Sequence, residues 1–426
     1  MNRNDSAAVH GRRSTRRWIK RVSWILAILL VLAYAGVCVW LRVNETRLVF
    51  SRTMHSIPPS PSLALNEQRV EFGDLDGTKL YAWLVSSLPK DTANVWLMFF
   101  HGSGDNVSVN QNAYDDYRSM GFNVMAPEYP GYPGSPGVPS EAGVEREAQA
   151  AFEYLRSVKQ VPAKNIVIFG ASLGSAIAID LASRVDAGAL IVASGLASVV
   201  ATGQKAYPIL PIRLLLRNPF ESTKKIGRAR MPVLVIHSVE DERFPLAENG
   251  QRLYELASSP KQFLKIRGEH GEGVTHATVN PNFYSDIVTF LNTQAGFRLR
   301  RPLPSIAPVL SVTIDTAGIE AALAQHRSLS RENPRRYNFR EPELNHLGYY
   351  LLQKKKINEA IAIFQLNAEQ FPQSFNVFDS LGDAYVAAGN DTEAIESYRH
   401  ALALFPGEGN HIRVKLDRLR SKPRGD

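Results

Sequence analysis

The chain contains a serine, an aspartate and two histidines in an order that could support nucleophilic catalysis. Ser172 lies between two glycines in "GASLG", and Asp241 follows the apolar run "VLVIH". His270 and His276 come later, in "RGEHGEGVTHAT". A serine hydroxyl is a weak nucleophile near neutral pH, so a catalytic role for Ser172 requires a histidine base and a carboxylate that orients the base.

Ser172 stands at the junction of a strand-like run and an apolar helix. "NIVIF" precedes the "GASLG" sequence and "SAIAIDLAS" follows it, which predicts a sharp strand-to-helix turn with small residues at Gly170 and Gly174. Such a turn holds the serine hydroxyl clear of both elements. The alternative is that Ser172 only caps the helix, which is a common role for serine.

The elements that must position these residues form an alternating pattern over residues 45–295. Short apolar runs are separated by amphipathic segments, and this predicts an α/β fold with a mostly parallel sheet and helices on both faces. Asp241 then lies at the carboxyl edge of the sheet, where α/β proteins place their sites. The expected strands are 68–72, 80–85, 95–100, 124–126, 166–169, 189–193, 233–237 and 263–266.

A transmembrane helix is expected at residues 22–41, "VSWILAILLVLAYAGVCVWL", which has no charge and is long enough to cross a bilayer. The basic segment 1–21 predicts a cytoplasmic N-terminus and places the rest of the chain on the extracytoplasmic (periplasmic) side. Cleavage as a signal peptide is the alternative, because "AYA" fits a cleavage site. Cys38 is the only cysteine and lies in the span, so no disulfide is expected in the exported part.

The net charge of +8 does not indicate a nucleic-acid-binding protein. The basic residues are concentrated in residues 1–21 and 412–426, and the rest of the chain has a slight acidic excess. We therefore expect no nucleic-acid partner. Clustered metal ligands and a phosphate-binding glycine loop are also lacking in the sequence, so neither a metal nor a cofactor is expected.

The C-terminal part follows a proline-rich linker, 296–315, and repeats itself within residues 316–426. Leu347-Gly348 recurs as Leu381-Gly382, and Phe364 recurs as Tyr398. This spacing resembles the tetratricopeptide repeat, with units at about 341–374 and 375–408 and helices on either side as caps. The resemblance implies a protein or peptide partner; the alternative is that the helices only stabilise the chain end or a dimer.

The order serine, acid, histidine is that of the α/β-hydrolases, and residues 47–293 resemble this family. The resemblance is carried by "FFHGSGDN", "APEYPGYPGSPGVPSEAG", "FGASLGSAIAIDLA", "MPVLVIHSVEDERFP" and "GVTHAT". Within the family it is to small-lidded esterases, acyl-protein thioesterases and serine aminopeptidase-like members. The resemblance implies that Ser172 is the nucleophile, Asp241 the acid and His276 the base. His270 is the rival base; His276 is preferred because it stands nearer the closing helix "FYSDIVTFL".

The same resemblance implies an oxyanion hole built from backbone amides. One donor is expected to be Leu173, directly after the nucleophile, and the other Ser103 in the "HGSGDN" loop. His101 in that loop precedes the nucleophile and is expected to be a structural hydrogen-bonding residue.

These features predict a membrane-anchored serine hydrolase that cleaves an ester, thioester or amide through an acyl-enzyme. The segment between the sixth and seventh strands contains "AYPILPIRLLLRNPF", which either packs as an ordinary loop or forms an apolar wall for a lipid-like acyl substrate or a patch that rests against the nearby bilayer. The competing hypothesis is a membrane-tethered interaction or scaffold protein whose hydrolase domain is inactive.

Overall fold

The computed structural model describes residues 5–51, 67–73, 77, 79–88, 94–270, 280–405 and 410–421. Only the backbone is described for residues 5–17, 19, 20 and 410.

An eight-stranded sheet forms the centre of the α/β domain, with the strand order β1-β2-β4-β3-β5-β6-β7-β8. Strands β3 to β8 are parallel, whereas β1 pairs antiparallel with β2, and β2 pairs antiparallel with β4. The expected mostly parallel sheet is therefore confirmed. The strands are β1 (Glu67–Gly73), β2 (Lys79–Val85), β3 (Trp96–Phe100), β4 (Asn123–Pro127), β5 (Ile166–Ala171), β6 (Ala189–Ala193), β7 (Val233–Ser238) and β8 (Lys261–Ile266).

The central strands read as continuous apolar runs because helices bury both faces of the sheet. On β5, Ile166 and Ile168 belong to one core cluster, and Val167 and Phe169 belong to the cluster on the other face. This division follows from the two-residue alternation of side chains along a strand. Among the described residues up to the end of this domain, the α-helices are α1 (Asp5–Val49), α2 (Gln111–Ser119), α3 (Glu141–Glu153), α4 (Leu173–Ala182), α5 (Val199–Ala206), α6 (Ile212–Leu215), α7 (Gly250–Leu256) and α8 (Phe283–Gln294).

Helix α1 contains the predicted span and continues beyond it to Val49. Its segment Arg21–Val49 has a window of mean hydropathy 2.5, of which none is buried inside the protein. By length and composition this segment could cross a bilayer, and an N-terminal signal sequence meets the same criteria.

A C-terminal helical region packs in antiparallel pairs. A Cβ atom at Gly348 would overlap the ring of Phe364, and a Cβ atom at Gly382 would overlap the ring of Tyr398. The repeated sequence positions therefore make the same close helix contact twice. The helices are α9 (Ala307–Ala317), α10 (Ile319–Leu329), α11 (Glu341–Gln353), α12 (Ile357–Gln370), α13 (Phe375–Ala388), α14 (Asp391–Leu404) and α15 (Asn410–Arg420).

The segment predicted as a linker, 296–315, is not extended throughout. Helix α9 begins within it at Ala307. Pro308 is compatible with this start, because it lies in the first turn, where a missing N–H breaks no helical hydrogen bond. Beyond it, Arg340 binds the carboxylates of Asp115 and Asp116 on α2. These ion pairs connect the C-terminal helical region to the α/β domain.

Candidate active site

Ser172 occupies the strained turn between β5 and α4. Its φ of 53° and ψ of −121° are rare for a residue with a side chain. A Cβ atom at Gly170 would overlap the carbonyl of Gly174, and one at Gly174 would overlap the carbonyl of Phe100. Although Ser172 precedes the helix, its side chain makes no capping hydrogen bond. The turn therefore directs the hydroxyl of Ser172 to partners outside α4.

That hydroxyl lies at the end of a chain of hydrogen bonds formed by Ser172, His270 and Asp241, here called the Ser–His–Asp chain. The distance from Ser172 Oγ to His270 Nε2 is 2.9 Å, and that from His270 Nδ1 to Asp241 Oδ2 is 2.8 Å. With its proton on Nδ1, His270 donates to the carboxylate and can accept the serine proton at Nε2. This is the arrangement that a general base needs.

The loops after β7 and β8 bring the acid and the histidine to the carboxyl edge of the sheet. Asp241 is almost fully buried, and its Oδ1 accepts from the amide of Phe244 at 2.8 Å. Burial alone would raise the pKa of Asp241, but the hydrogen bonds from His270 and Phe244 outweigh it and lower the pKa. Asp241 is therefore an anion at neutral pH that can orient the imidazole and stabilise its charged form.

His276, which sequence reasoning preferred as the base, lies outside the described residues. The described geometry places His270, the rival candidate, at hydrogen-bonding distance from both partners. The signal in the sequence was proximity to a strand end: His270 follows the last residue of β8, Ile266, more closely than His276 does. Our preference gave more weight to the closing helix than to this loop.

The two predicted oxyanion donors lie beside the nucleophile. Ser103 and Leu173 line the same cavity as Ser172. Leu173 is the first residue of α4, so its amide has no partner within the helix. A backbone amide in that position can donate to an oxyanion that develops next to Ser172.

His101 and Glu128 form a buried pair that shapes the loop carrying Ser103. His101 Nε2 is 3.0 Å from Glu128 Oε1, and His101 Nδ1 is 2.9 Å from the carbonyl of Gly102. Burial alone would lower the pKa of His101, but the hydrogen bond and charge of Glu128 outweigh it and raise the pKa. Glu128 also accepts from the amide of Val107 at 3.0 Å. Sequence reasoning assigned no role to Glu128, because nothing in "APEYPG" marks it as buried.

The cavity above Ser172 has a volume of about 250 Å³ and a largely apolar lining. Apart from the site residues, part of its wall comes from the segment between β6 and β7, including Val199, Tyr207 and Leu216. Among the residues that the structure describes, no group of three or more His, Cys, Asp or Glu could hold a metal ion.

Comparison with known proteins agrees with this architecture. The model of the alpha/beta hydrolase family matches residues 97–351. The chain belongs to the alpha/beta hydrolase family. This hydrolase is 30% identical to an uncharacterized protein of Mycobacterium tuberculosis over 57% of its own length and 86% of the relative.

Further similarity includes a protein of Escherichia coli and solved structures of other hydrolases. The uncharacterized protein YfhR of Escherichia coli is 32% identical to the hydrolase over 59% of this chain and 88% of YfhR. An esterase of Pyrococcus furiosus superposes with a TM-score of 0.47 at 19% identity, over 57% of this chain and 98% of the esterase. That structural likeness is too distant to bear on substrate or activity.

Proposed function

We propose that this protein is a membrane-anchored serine hydrolase that cleaves an ester, thioester or amide through an acyl-enzyme on Ser172. The observation that carries the proposal is the Ser–His–Asp chain, with distances of 2.9 and 2.8 Å at the mouth of an apolar cavity. Asp241 is the acid, and we assign the base to His270 in place of His276, since His270 contacts Ser172 in the described part of the chain.

The reaction follows from this geometry. His270 takes the proton from Ser172 as the serine oxygen attacks the substrate carbonyl, and the amides of Leu173 and Ser103 donate to the resulting oxyanion. His270 then gives its proton to the leaving group. Water enters, is deprotonated by His270 and releases the acyl group, so that Ser172 regains its proton.

The proposed topology has α1 crossing the membrane with residues 1–21 in the cytoplasm. The basic residues of this segment and the long exposed apolar stretch within Arg21–Val49 support it. The hydrolase domain and the C-terminal helical region then lie on the extracytoplasmic side, held at the membrane surface.

The C-terminal helical region is proposed to be a tetratricopeptide-type domain that binds a protein or peptide. The support is its antiparallel helix pairs and the repeated contact of a helical glycine with an aromatic ring, Gly348 with Phe364 and Gly382 with Tyr398. Such repeats expose a surface formed by successive helices.

A fluorophosphonate probe tests the catalytic proposal on the full-length protein in detergent. We expect labelling of the wild type and of His276→Ala, and loss of labelling in Ser172→Ala and His270→Ala. An unlabelled wild-type protein, or equal labelling of Ser172→Ala, would refute the enzyme and favour the scaffold hypothesis. Loss of labelling in His276→Ala alone would return the role of base to His276.

A further inference from the structure

The last turns of the anchor helix form one wall of the active-site cavity. Leu41, Glu45, Leu48 and Val49 of α1 line the same cavity as Ser172. A helix that served only as a tether would have no reason to reach this position. The residues that hold the protein in the membrane thus continue directly into the residues that face the substrate.

This wall is fixed by both apolar and charged contacts. Leu41 is buried against Leu210 and Ile212 of the segment between β6 and β7. Glu45 is also buried, and its Oε1 accepts from the amides of Arg217 and Asn218 at 2.6 and 2.7 Å. Because a buried carboxylate is stabilised by such donors, these bonds hold α1 in one position over the cavity.

Part of this segment, residues 207–216, lies along the apolar part of α1. We call residues 207–216 the lid loop. The hydroxyl of Tyr34 donates to the carbonyl of Ile209 at 3.0 Å. Tyr34 precedes Leu41 by about two helical turns, or about 10 Å along the axis. The lid loop therefore extends from the cavity, which Tyr207, Ile212 and Leu216 help to line, to the level of Tyr34 in the predicted span.

The outer surface of the lid loop exposes two large apolar side chains, and its exposed cation, Arg213, lies 3.5 Å from a carboxylate oxygen of Glu221. Ile209 is 79% exposed and Leu214 is 81% exposed. In water such side chains form an unfavourable patch beside the exposed apolar surface of α1. In a bilayer spanned by α1, the same side chains would be surrounded by hydrocarbon, which removes this cost.

We infer that the substrate is a long-chain acyl ester of a lipid in the same bilayer, and that its acyl chain passes from the outer leaflet along the lid loop and α1 to Ser172. This inference rests on the proposed function. In this arrangement the lid loop lies in the outer leaflet. Apolar residues of α1 and of the lid loop line the cavity, and Ser172 lies in the same cavity. Charge complementarity is not required, because the acyl chain is the recognised part.

The chemistry balances with water as the only co-reactant. Ser172 Oγ forms a bond to the acyl carbonyl carbon as the ester C–O bond breaks, and the lipid alkoxide leaves with the proton held by His270. Water then breaks the Ser172 ester and releases a fatty acid. The lipid alcohol stays in the bilayer, and the serine proton is restored.

The test compares two substrates on the full-length protein reconstituted in dioleoylphosphatidylcholine vesicles. One probe is 4-methylumbelliferyl oleate carried in the vesicles, and the other is soluble 4-methylumbelliferyl acetate. The variants are Ile209→Asp and Leu214→Asp, whose side chains do not line the cavity. Val158→Asp is the matched control, because Val158 is an exposed apolar residue of the hydrolase domain outside the lid loop.

We expect each lid-loop variant to lower oleate hydrolysis at least tenfold while acetate hydrolysis and fluorophosphonate labelling stay unchanged, and we expect Val158→Asp to affect neither substrate. Equal oleate rates in wild type and lid-loop variants, or a wild type that hydrolyses only acetate, would overturn the inference and leave the hydrolase intact. Absence of both hydrolysis and labelling in the wild type would instead overturn the proposed function.

Discussion

The hydrolase domain and the C-terminal helical region both bury clusters of polar side chains, but they connect them differently. In the hydrolase domain, hydrogen bonds connect Ser172 through His270 to Asp241, and Ser172 lines a cavity. In the helical region, Lys415 contacts the carboxylates of Asp379 and Asp383 at 2.9 Å. That second cluster links helices to one another.

In the helical region, the polar side chains of this second cluster bind one another. Asp383 accepts from the hydroxyls of Tyr349 and Tyr398 at 3.0 and 2.7 Å, in addition to Lys415. Burial alone would lower the pKa of Lys415, but the charges of Asp379 and Asp383 outweigh it and raise the pKa. A set of ionisable residues is thus no sign of catalysis by itself. What distinguishes the candidate active site is a serine that is held in a strained turn and lines a cavity.

Replacing the nucleophile should have the largest effect and should leave the helical region untouched. We expect Ser172→Ala to lower kcat/KM for a soluble acetate ester by about 10⁴-fold or more, since the acyl-enzyme can no longer form. Hydrogen exchange of helices α11 to α14 should be unchanged. Substantial residual turnover would show that the chain of hydrogen bonds is not the catalytic device.

Replacing His270 should lower activity nearly as much as replacing Ser172, whereas replacing His276 should have a small effect. We expect His270→Ala to lower kcat by about 10⁴-fold, because Ser172 loses its base. His276→Ala should retain activity close to that of the wild type in the same kinetic assay. If His276→Ala lost activity and His270→Ala kept it, His276 would be the functional base.

Acidification should weaken the helical region through His326. Burial lowers the pKa of His326 to about 4, so the folded protein binds its proton less readily than the unfolded chain does. The stability that neutral His326 contributes is present above pH 6.5 and is lost as the pH falls towards 4, by up to about 3 kcal/mol. Hydrogen exchange of α10 to α12 measures this loss.

The matched variant for this prediction is His326→Leu, which cannot bind a proton. Its helical region should lose less stability than the wild type between pH 6.5 and 4. Equal pH dependence of the two proteins would assign the acid sensitivity to other groups. Asp241 has its pKa lowered instead, so the stability it contributes is lost only when the pH falls below its ordinary value of 3.8.

Removing the cation of the helical cluster should give the smallest of these effects, and it should concern stability alone. We expect Lys415→Met to destabilise α13 to α15 by about 2 kcal/mol, because Asp379 and Asp383 would keep partly buried charges without their counterion. Ester hydrolysis should not change. Lys205→Met is the control, since Lys205 and Glu248 form an exposed pair whose loss should not be measurable. A fall in kcat for Lys415→Met would contradict the separation of the two clusters.

Local pattern was sufficient for much of the fold. Each predicted strand coincides with a strand of the sheet, because buried parallel strands need continuous apolar runs. The sequence also predicts the turn around Ser172, since a serine flanked by two glycines between a strand and a helix is typical of a sharp strand-to-helix turn. The segment around Ala307 was misread, because its prolines favoured a linker and the start of a helix accepts proline equally well.

The sequence by itself determined the alternation of strands and helices, the apolar span, the 34-residue repetition and the order of serine, acid and histidine. Each of these follows from local periodicity or from chain order. Tertiary structure decided that His270 contacts Ser172, that Glu128 supports the loop carrying Ser103, and that α1 forms part of the cavity wall. Those contacts join residues far apart in the chain, and their partners are set by packing that no local pattern records.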